Sequence, residues 1–426
     1  MPQLDDRAAT RRLLDRFGFG PRPGELDTLA AGGFAAACEH VLAQTPDTTP
    51  LPDLGAEPAP VGGKQKASTA ERKQRQKTLR QQQVAAAQWW LDRMAGTASA
   101  LPERLTWFWH GHFATSVQKV HSAHLMLRQN QSFRSMGGGD FTPLAKAMIV
   151  DPAMLVWLDG EQNKVGAANE NLAREFMELF TLGVDRYTET DVREAARALT
   201  GWTVNRTTGV ASLVPKRHDN GSKTVLGITG NLDADGFVDI VLNRPDSPRF
   251  VAGRMWFRLV SATPPPADAL DRLVAGYGPQ RSIGGLLRAV LAEPAFRDPA
   301  TTLVKQPVEW AVGLMRVLGV QPSKLPVTQL EAGLRGLGQV PFEPPSVGGW
   351  PAAQSWLTTS AGLARLHLAQ LIAEHADVAH VTTAAAAGQA LGVDTWSQRS
   401  TAALAGIQGA QLVAMAACAP EYVVSQ

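Results

Sequence analysis

The segment NENLAREFMELFTLGVDRYTETDVREAARALTGW, residues 169–202, does most to limit what this chain can fold into. At about 100° per residue, Leu172, Phe176, Leu179 and Phe180 fall on one side of a helix. Asn171, Arg174, Glu175 and Glu178 gather on another side, within about a third of the circumference. Gly183 then stops the helix, because glycine tolerates the left-handed backbone of a C-terminal cap. Thr188 and Asp191 have the spacing of a capping box for a second helix, and Val192, Ala195, Ala196 and Leu199 give it one apolar face ending before Gly201. These periods describe a helical hairpin with one face for a core, a pattern that a pleated strand cannot use.

The same period recurs along most of the chain. Helices are expected over 6–16, 23–44, 116–134, 141–149, 250–261, 283–291 and 307–318, and through the alanine-rich last third. Thr224 to Ile228 is a short, isolated strand-like run. The expected fold class is therefore mainly α: a single large helical domain with long loops and at most a minor β element. Residues 1–44 would form N-terminal helices joined to a main helical body over 84–426. Between them, 45–83 reads as an exposed insertion. It opens with Pro46, Pro50, Pro52, Pro58 and Pro60, which cannot hold a helix, and continues with Lys64, Lys66, Arg72, Lys73, Arg75, Lys77 and Arg80. That basic run is either a phosphate-binding arm or the solvated face of a long helix. The lack of interleaved aromatic residues favours the second.

Bulk charge excludes some partners. With 41 basic and 39 acidic residues the net charge is +2, too small a field to draw nucleic acid or an anionic membrane, and no window approaches the roughly 18 apolar residues of a membrane span. Cys38 and Cys418 supply neither a disulfide framework nor a thiolate metal site. No apolar run follows Arg11 and Arg12, so a cytoplasmic location is expected.

Three constellations carry chemistry-bearing side chains. The first is the hairpin face, where Glu175 and Glu178, one turn apart, could bind a divalent cation or split their pKa values into an acid and a base. Arg174 and Asn171 would orient substrate there; the plainer reading is an ordinary charged face. The second is WFWHGHF. His110 and His112 would lie about 200° apart on a helix, so they cannot chelate one ion together, and His112 shares the apolar stripe of Leu105, Phe108 and Trp109 as a core or pocket-lining histidine. The third is RHDNGSKTVLG, a turn carrying His218, Asp219 and Lys223, able to supply a proton carrier and a cation for an anionic group, or merely solvated; Trp202 lies at the hairpin's end. His121 and His124 form a weak pair without the glutamate of a zincin motif. Dinucleotide, Walker, nucleophile-elbow and CxxC signatures are absent.

Taken in order, FWHGHFATS, LMLRQNQSFR, DPAMLVWLDG, the hairpin segment, KTVLG and PFEPPSVGGWP resemble the bacterial domain-of-unknown-function family numbered 1800, from about residue 8 to the C-terminus. The resemblance implies a predominantly helical protein with no settled activity. It also implies a partner, encoded nearby, similar to sulfatases and alkaline phosphatases. The expected function is a metal-dependent hydrolase of a glycosidic or ester bond in a small-molecule or carbohydrate-like substrate. Glu175, Glu178, Arg174, Asn171 and His218 would be catalytic, Lys223, Asp219 and Trp202 would bind substrate, and His112 or His110 would hold a metal. The alternatives are a metal- or haem-dependent oxidoreductase and a non-catalytic structural or partner-binding protein.

Overall fold

The computed structural model describes residues 3–58 and 68–425, and the chain is mainly α. The first helices are α1 (Asp6–Arg16), α2 (Glu25–Ala31), α3 (Phe34–Leu42), α4 (Thr69–Gly96), α5 (Ala100–His112), α6 (Val117–Val120), α7 (Ala123–Met136), α8 (Phe141–Ile149) and α9 (Pro152–Trp157). The hairpin follows as α10 (Asn171–Glu175), which continues into a π-helical turn over Phe176–Thr181, and α11 (Glu189–Ala198). Two small antiparallel pairs come next, β1 (Trp202–Asn205) with β2 (Val210–Leu213), and β3 (Lys223–Val225) with β4 (Ile228–Gly230). Then come α12 (Ala234–Leu242), α13 (Asp246–Leu259), α14 (Ala267–Tyr277), α15 (Ile283–Ala292), α16 (Pro294–Arg297), β5 (Leu303–Val304) and α17 (Pro307–Val317). Six further helices lead to β6 (Val424–Ser425), which pairs with β5.

Local chemistry explains the boundaries. Asp5 caps α1 by accepting from Ala8 N–H at 2.8 Å, and the capping box expected at Thr188 and Asp191 opens α11. Where one helix was expected over 23–44, Gly33 at φ +82° divides it into α2 and α3. Where one was expected over 116–134, His121 in the left-handed region at φ +55° separates α6 from α7.

The insertion is irregular over 46–58, yet it is strapped down along α4. Arg93 donates to the carbonyls of Asp47 and Thr49, Gln82 to those of Leu54 and Ala56, and Trp89 to that of Pro50. The basic residues from Arg72 to Arg80 ride on α4, with Arg80 paired to Glu331 and Glu343; Lys64 and Lys66 lie outside the described residues.

Two apolar cores share one central helix. Leu101, Leu105, Phe108 and Trp109 of α5 belong to a core built with α1, α3, α8, α12, α13 and α15, while Trp107 faces a second core built by α4, α17 and the C-terminal helices. Each fully buried aromatic or aliphatic side chain here contributes about 1.5–3 kcal/mol. Helix α5 is therefore pinned from both sides, and any group projecting from it is rigidly placed.

Candidate functional site

The hairpin face is solvated and internally paired. Arg174 donates to both carboxylate oxygens of Glu189 at 2.7 Å and to Glu170 at 3.2 Å. Tyr187 donates its hydroxyl proton to Glu178, and Asn171 donates to the Leu158 carbonyl at 3.4 Å. Glu175 is half-buried; burial and then the charge of Glu178 raise its pKa above the usual carboxylate range. The hairpin's backbone makes a different contribution. The carbonyls of a helix's last turn lack partners within it, and the Phe180 carbonyl at the end of the π turn accepts from His112 Nε2 at 2.9 Å.

The His218 turn is likewise spent on itself. His218 Nδ1 donates to the Thr200 carbonyl at 2.9 Å, Asp219 accepts from Arg197 Nε at 2.8 Å, and Lys223 Nζ donates to the Leu232 carbonyl at 2.8 Å and to Asn231 at 3.1 Å. Burial lowers the Lys223 pKa, and Trp202 sits in β1 opposite Leu213. This turn and the hairpin face are separately satisfied networks, and none of their side chains hydrogen-bonds to His110 or His112 among the described residues.

The two histidines of WFWHGHF point into different cores, as their 200° separation requires. His110 accepts from the Phe342 N–H at 3.2 Å amid Trp90, Trp107, Phe342 and Trp350. His112 stacks on Phe108 at 5.8 Å and contacts Phe250 and Phe180. Burial pushes both imidazoles down to about pH 3. For His112 the positive charges of Arg254 and Arg258 add to that push. A carbonyl can only accept, so Nε2 of His112 carries the proton and Nδ1 holds a lone pair. That Nδ1 is buried and has no hydrogen-bond partner, although the residue is 2% exposed. Among the described residues, no group of three His, Cys, Asp or Glu side chains is placed to hold a metal ion.

Beside His112 runs a cleft that sequence reasoning missed. Helix α13 presents Phe250, Arg254 and Arg258 at i, i+4 and i+8 on one face. Arg258 donates to the Trp350 carbonyl at 3.3 Å, and Arg254 makes no hydrogen bond or ion pair among the described residues, its Nε being buried and unpartnered. Burial brings the Arg258 pKa down to about 10, so both guanidinium groups stay charged at neutral pH. Across the cleft, Arg104 of α5 pairs with Glu309 of α17. A small recess there is walled by Trp107, Phe108, Gly111 and Trp350 together with Arg104, Arg258 and Gln306. The loop carrying PFEPPSVGGWP closes it: Trp350 stacks on Trp107 at 5.0 Å, and its indole Nε1 is buried without a partner. Gly349, at φ +80°, lies so close to α5 that a Cβ there would stand 2.3 Å from the Gly111 carbonyl oxygen.

The cleft is lined by the guanidinium groups of Arg104 and Arg258 and by Trp350, whose indole donor is unused; the half-buried Arg254 and the unused imidazole acceptor of His112 lie behind its wall. Buried polar groups are almost always paired in a folded protein, and unpaired ones cost about 1–3 kcal/mol each, more for charges. Ligand atoms that complete these bonds would recover that cost.

A family model described as "Protein of unknown function (DUF1800)" matches residues 12–424. No curated protein and no solved structure matches the chain.

Proposed function

The chain belongs to the DUF1800 family of proteins of unknown function, and from the cleft between α5 and α13 we propose that it is a hydrolase of small esters bearing an acid group. The observation that carries this reading is the unpartnered Nδ1 of His112 beside the under-used guanidinium groups of Arg254 and Arg258. Arg254 and Arg258 would seat a phosphate, sulfate or carboxylate through charge-assisted hydrogen bonds. Trp350 and Phe108 would cover the uncharged part of the substrate.

His112 Nδ1 would accept a hydrogen bond from the attacking water. As the water oxygen bonds to the ester centre, its proton passes to Nδ1, and the same proton is returned to the departing alkoxide. An anion seated on the arginines cancels their share of the pKa depression; the larger share, from burial, remains. The imidazole therefore gains a proton only as charge develops in the transition state. The hairpin takes part through the Phe180 carbonyl, which fixes the His112 tautomer. Glu175, Glu178 and Arg174 would take no direct part in the chemistry, being engaged on the hairpin's outer face. A partner resembling sulfatases or alkaline phosphatases would act on the same chemical class of ester.

The test is calorimetric titration with sulfate, followed by a turnover screen of nitrophenyl phosphate, sulfate and carboxylate esters, on the native protein, Arg258→Met and His112→Gln. Sulfate binding weakened about 10- to 100-fold by Arg258→Met and left nearly intact by His112→Gln, with turnover lost in both, supports the reading. Sulfate binding indifferent to Arg258→Met overturns it. Binding without turnover of any ester leaves a receptor for anions in place of an enzyme.

A further inference from the structure

The loop that follows Val340 closes the recess tightly. With Trp350 stacked on Trp107, the space beside Arg104, Phe108, Gly111 and Arg258 holds about one water molecule. The loop must therefore move before any ester can reach Arg258.

Its two ends are fixed and its middle is not. Before the loop, the Phe342 N–H donates to His110 Nε2 at 3.2 Å, the Phe342 carbonyl accepts from the Val117 N–H at 2.9 Å, and Glu343 pairs with Arg335 at 2.9 Å. After it, a 3₁₀ turn over Ala353–Trp356 buries Trp356 in the second core. Between these anchors, among the described residues, 344–351 take one hydrogen bond from the rest of the fold, from Arg258 to the Trp350 carbonyl.

Both anchors carry strain. Phe342 and Ala353 sit in the left-handed region at φ +66° and +55°, which is unfavourable for any residue with a Cβ. Pro344, Pro345 and Pro351, just inside them, have φ locked by their rings, which moves rotation outward onto the ends. Closure also strands the Trp350 Nε1–H, which is buried without an acceptor and would find one in water. Against these costs stand the burial of the Trp350 ring and its stack on Trp107. Terms of these kinds are of the same order, so the loop is held shut by a small difference.

We propose that residues 344–351 are a lid, hinged at Phe342 and Ala353, whose swing away from α5 admits ligand to Arg258 and whose return seats Trp350 over it. The lid's use rests on the anion-binding reading of the recess; its motion rests only on the contacts and strain within the loop.

Hydrogen exchange of the indole N–H groups, followed by NMR on the native ¹⁵N-labelled protein after transfer to D₂O, tests the motion. Trp350 and Trp356 are each 4% exposed with Nε1 buried and unpartnered, and Trp350 alone lies in the lid. Trp350 is expected to exchange at least about tenfold faster than Trp356, because the lid opens locally whereas Trp356 waits for larger unfolding. Ala353→Gly removes the left-handed penalty of the closed state and should slow Trp350 exchange by about threefold to tenfold, leaving Trp356 unchanged. Equal exchange of the two indoles in the native protein overturns the lid, whether or not the variant folds. Unchanged Trp350 exchange in folded Ala353→Gly overturns the hinge. Sulfate that fails to bind a protein whose Trp350 exchanges rapidly removes the anion site and leaves the lid standing.

Discussion

The hairpin face and the α5–α13 cleft hold similar inventories of polar groups and treat them in opposite ways. On the hairpin, Arg174 saturates Glu189 and Glu170, and Glu178 is bonded by Tyr187, all at a partly exposed surface. Around the cleft, His112 and Trp350 are 2% and 4% exposed and each keeps an unused ring nitrogen, and Arg254 has no partner among the described residues. Density of charged residues in sequence marks the first; unspent hydrogen-bonding capacity under burial marks the second. A satisfied exposed network gains little from a ligand, because water already serves it, whereas an unsatisfied buried one gains the whole cost of its isolation.

The comparison is broken most directly at His112. Replacing it by Gln keeps a donor within reach of the Phe180 carbonyl and removes the Nδ1 lone pair. Ester turnover should then fall by about 10²–10⁴, the range typical of a lost general base. Glu178→Gln keeps an acceptor for Tyr187 and should change turnover less than about threefold. Steady-state kinetics on both variants decide it, and equal losses would erase the distinction between the two regions.

Next in size is the fit of the cleft's lid. Gly349→Ala forces a side chain into the left-handed region and drives its Cβ against the Gly111 carbonyl. The loop must lift from α5, at an expected cost of about 2–4 kcal/mol in denaturant unfolding. A loss below about 1 kcal/mol would mean that the loop is not clamped to the helix.

Acid separates the regions by sign. His110 and His112 titrate near 3 when folded and about 6.5 when unfolded, so below pH 6.5 the unfolded chain binds two more protons there. Asp151, buried as the N-cap of α9, is raised to about 7 and acts oppositely, holding one more proton when folded between pH 7 and about 3.8. These three groups leave a net loss of about one proton on folding. Stability should fall by about 1.4 kcal/mol per pH unit from 6.5 to 4.5, and His112→Gln should flatten that slope. Unfolding curves at three pH values check it; an unchanged slope would mean that His112 is protonated in the fold.

These contrasts also show what the sequence could convey. The hairpin's faces, its Thr188 cap and the division of His110 from His112 follow from helical period alone, because those are local properties. The π turn at Phe176–Thr181 has no such signature, and it is what offers the Phe180 carbonyl to α5. Arg254 and Arg258, among Val251, Ala252, Met255 and Trp256, look like arginines snorkelling from an apolar helix. Only packing against α5 and against Trp350, 92 residues further along, encloses them. A site made of groups left unpaired cannot be read from residue types, since pairing is decided by tertiary contacts.

The smallest expected effect tests the other side of the comparison. Arg174 pairs with Glu189 and Glu170 on the hairpin face, with Glu189 raising its pKa first by hydrogen bonding, yet its side chain is 31% exposed and that of Glu189 is 68% exposed. Water and salt screen such pairs, and the flexible side chains lose entropy in forming them. Arg174→Ala should therefore shift the melting temperature by less than about 2 °C. Sulfate affinity should stay within twofold of the native value, because the Phe180 carbonyl is held by backbone geometry and by burial of Phe176 and Phe180. A large loss of sulfate binding with an unchanged melting temperature would place Arg174 in the anion site and make the hairpin face, instead of the cleft, the centre of function.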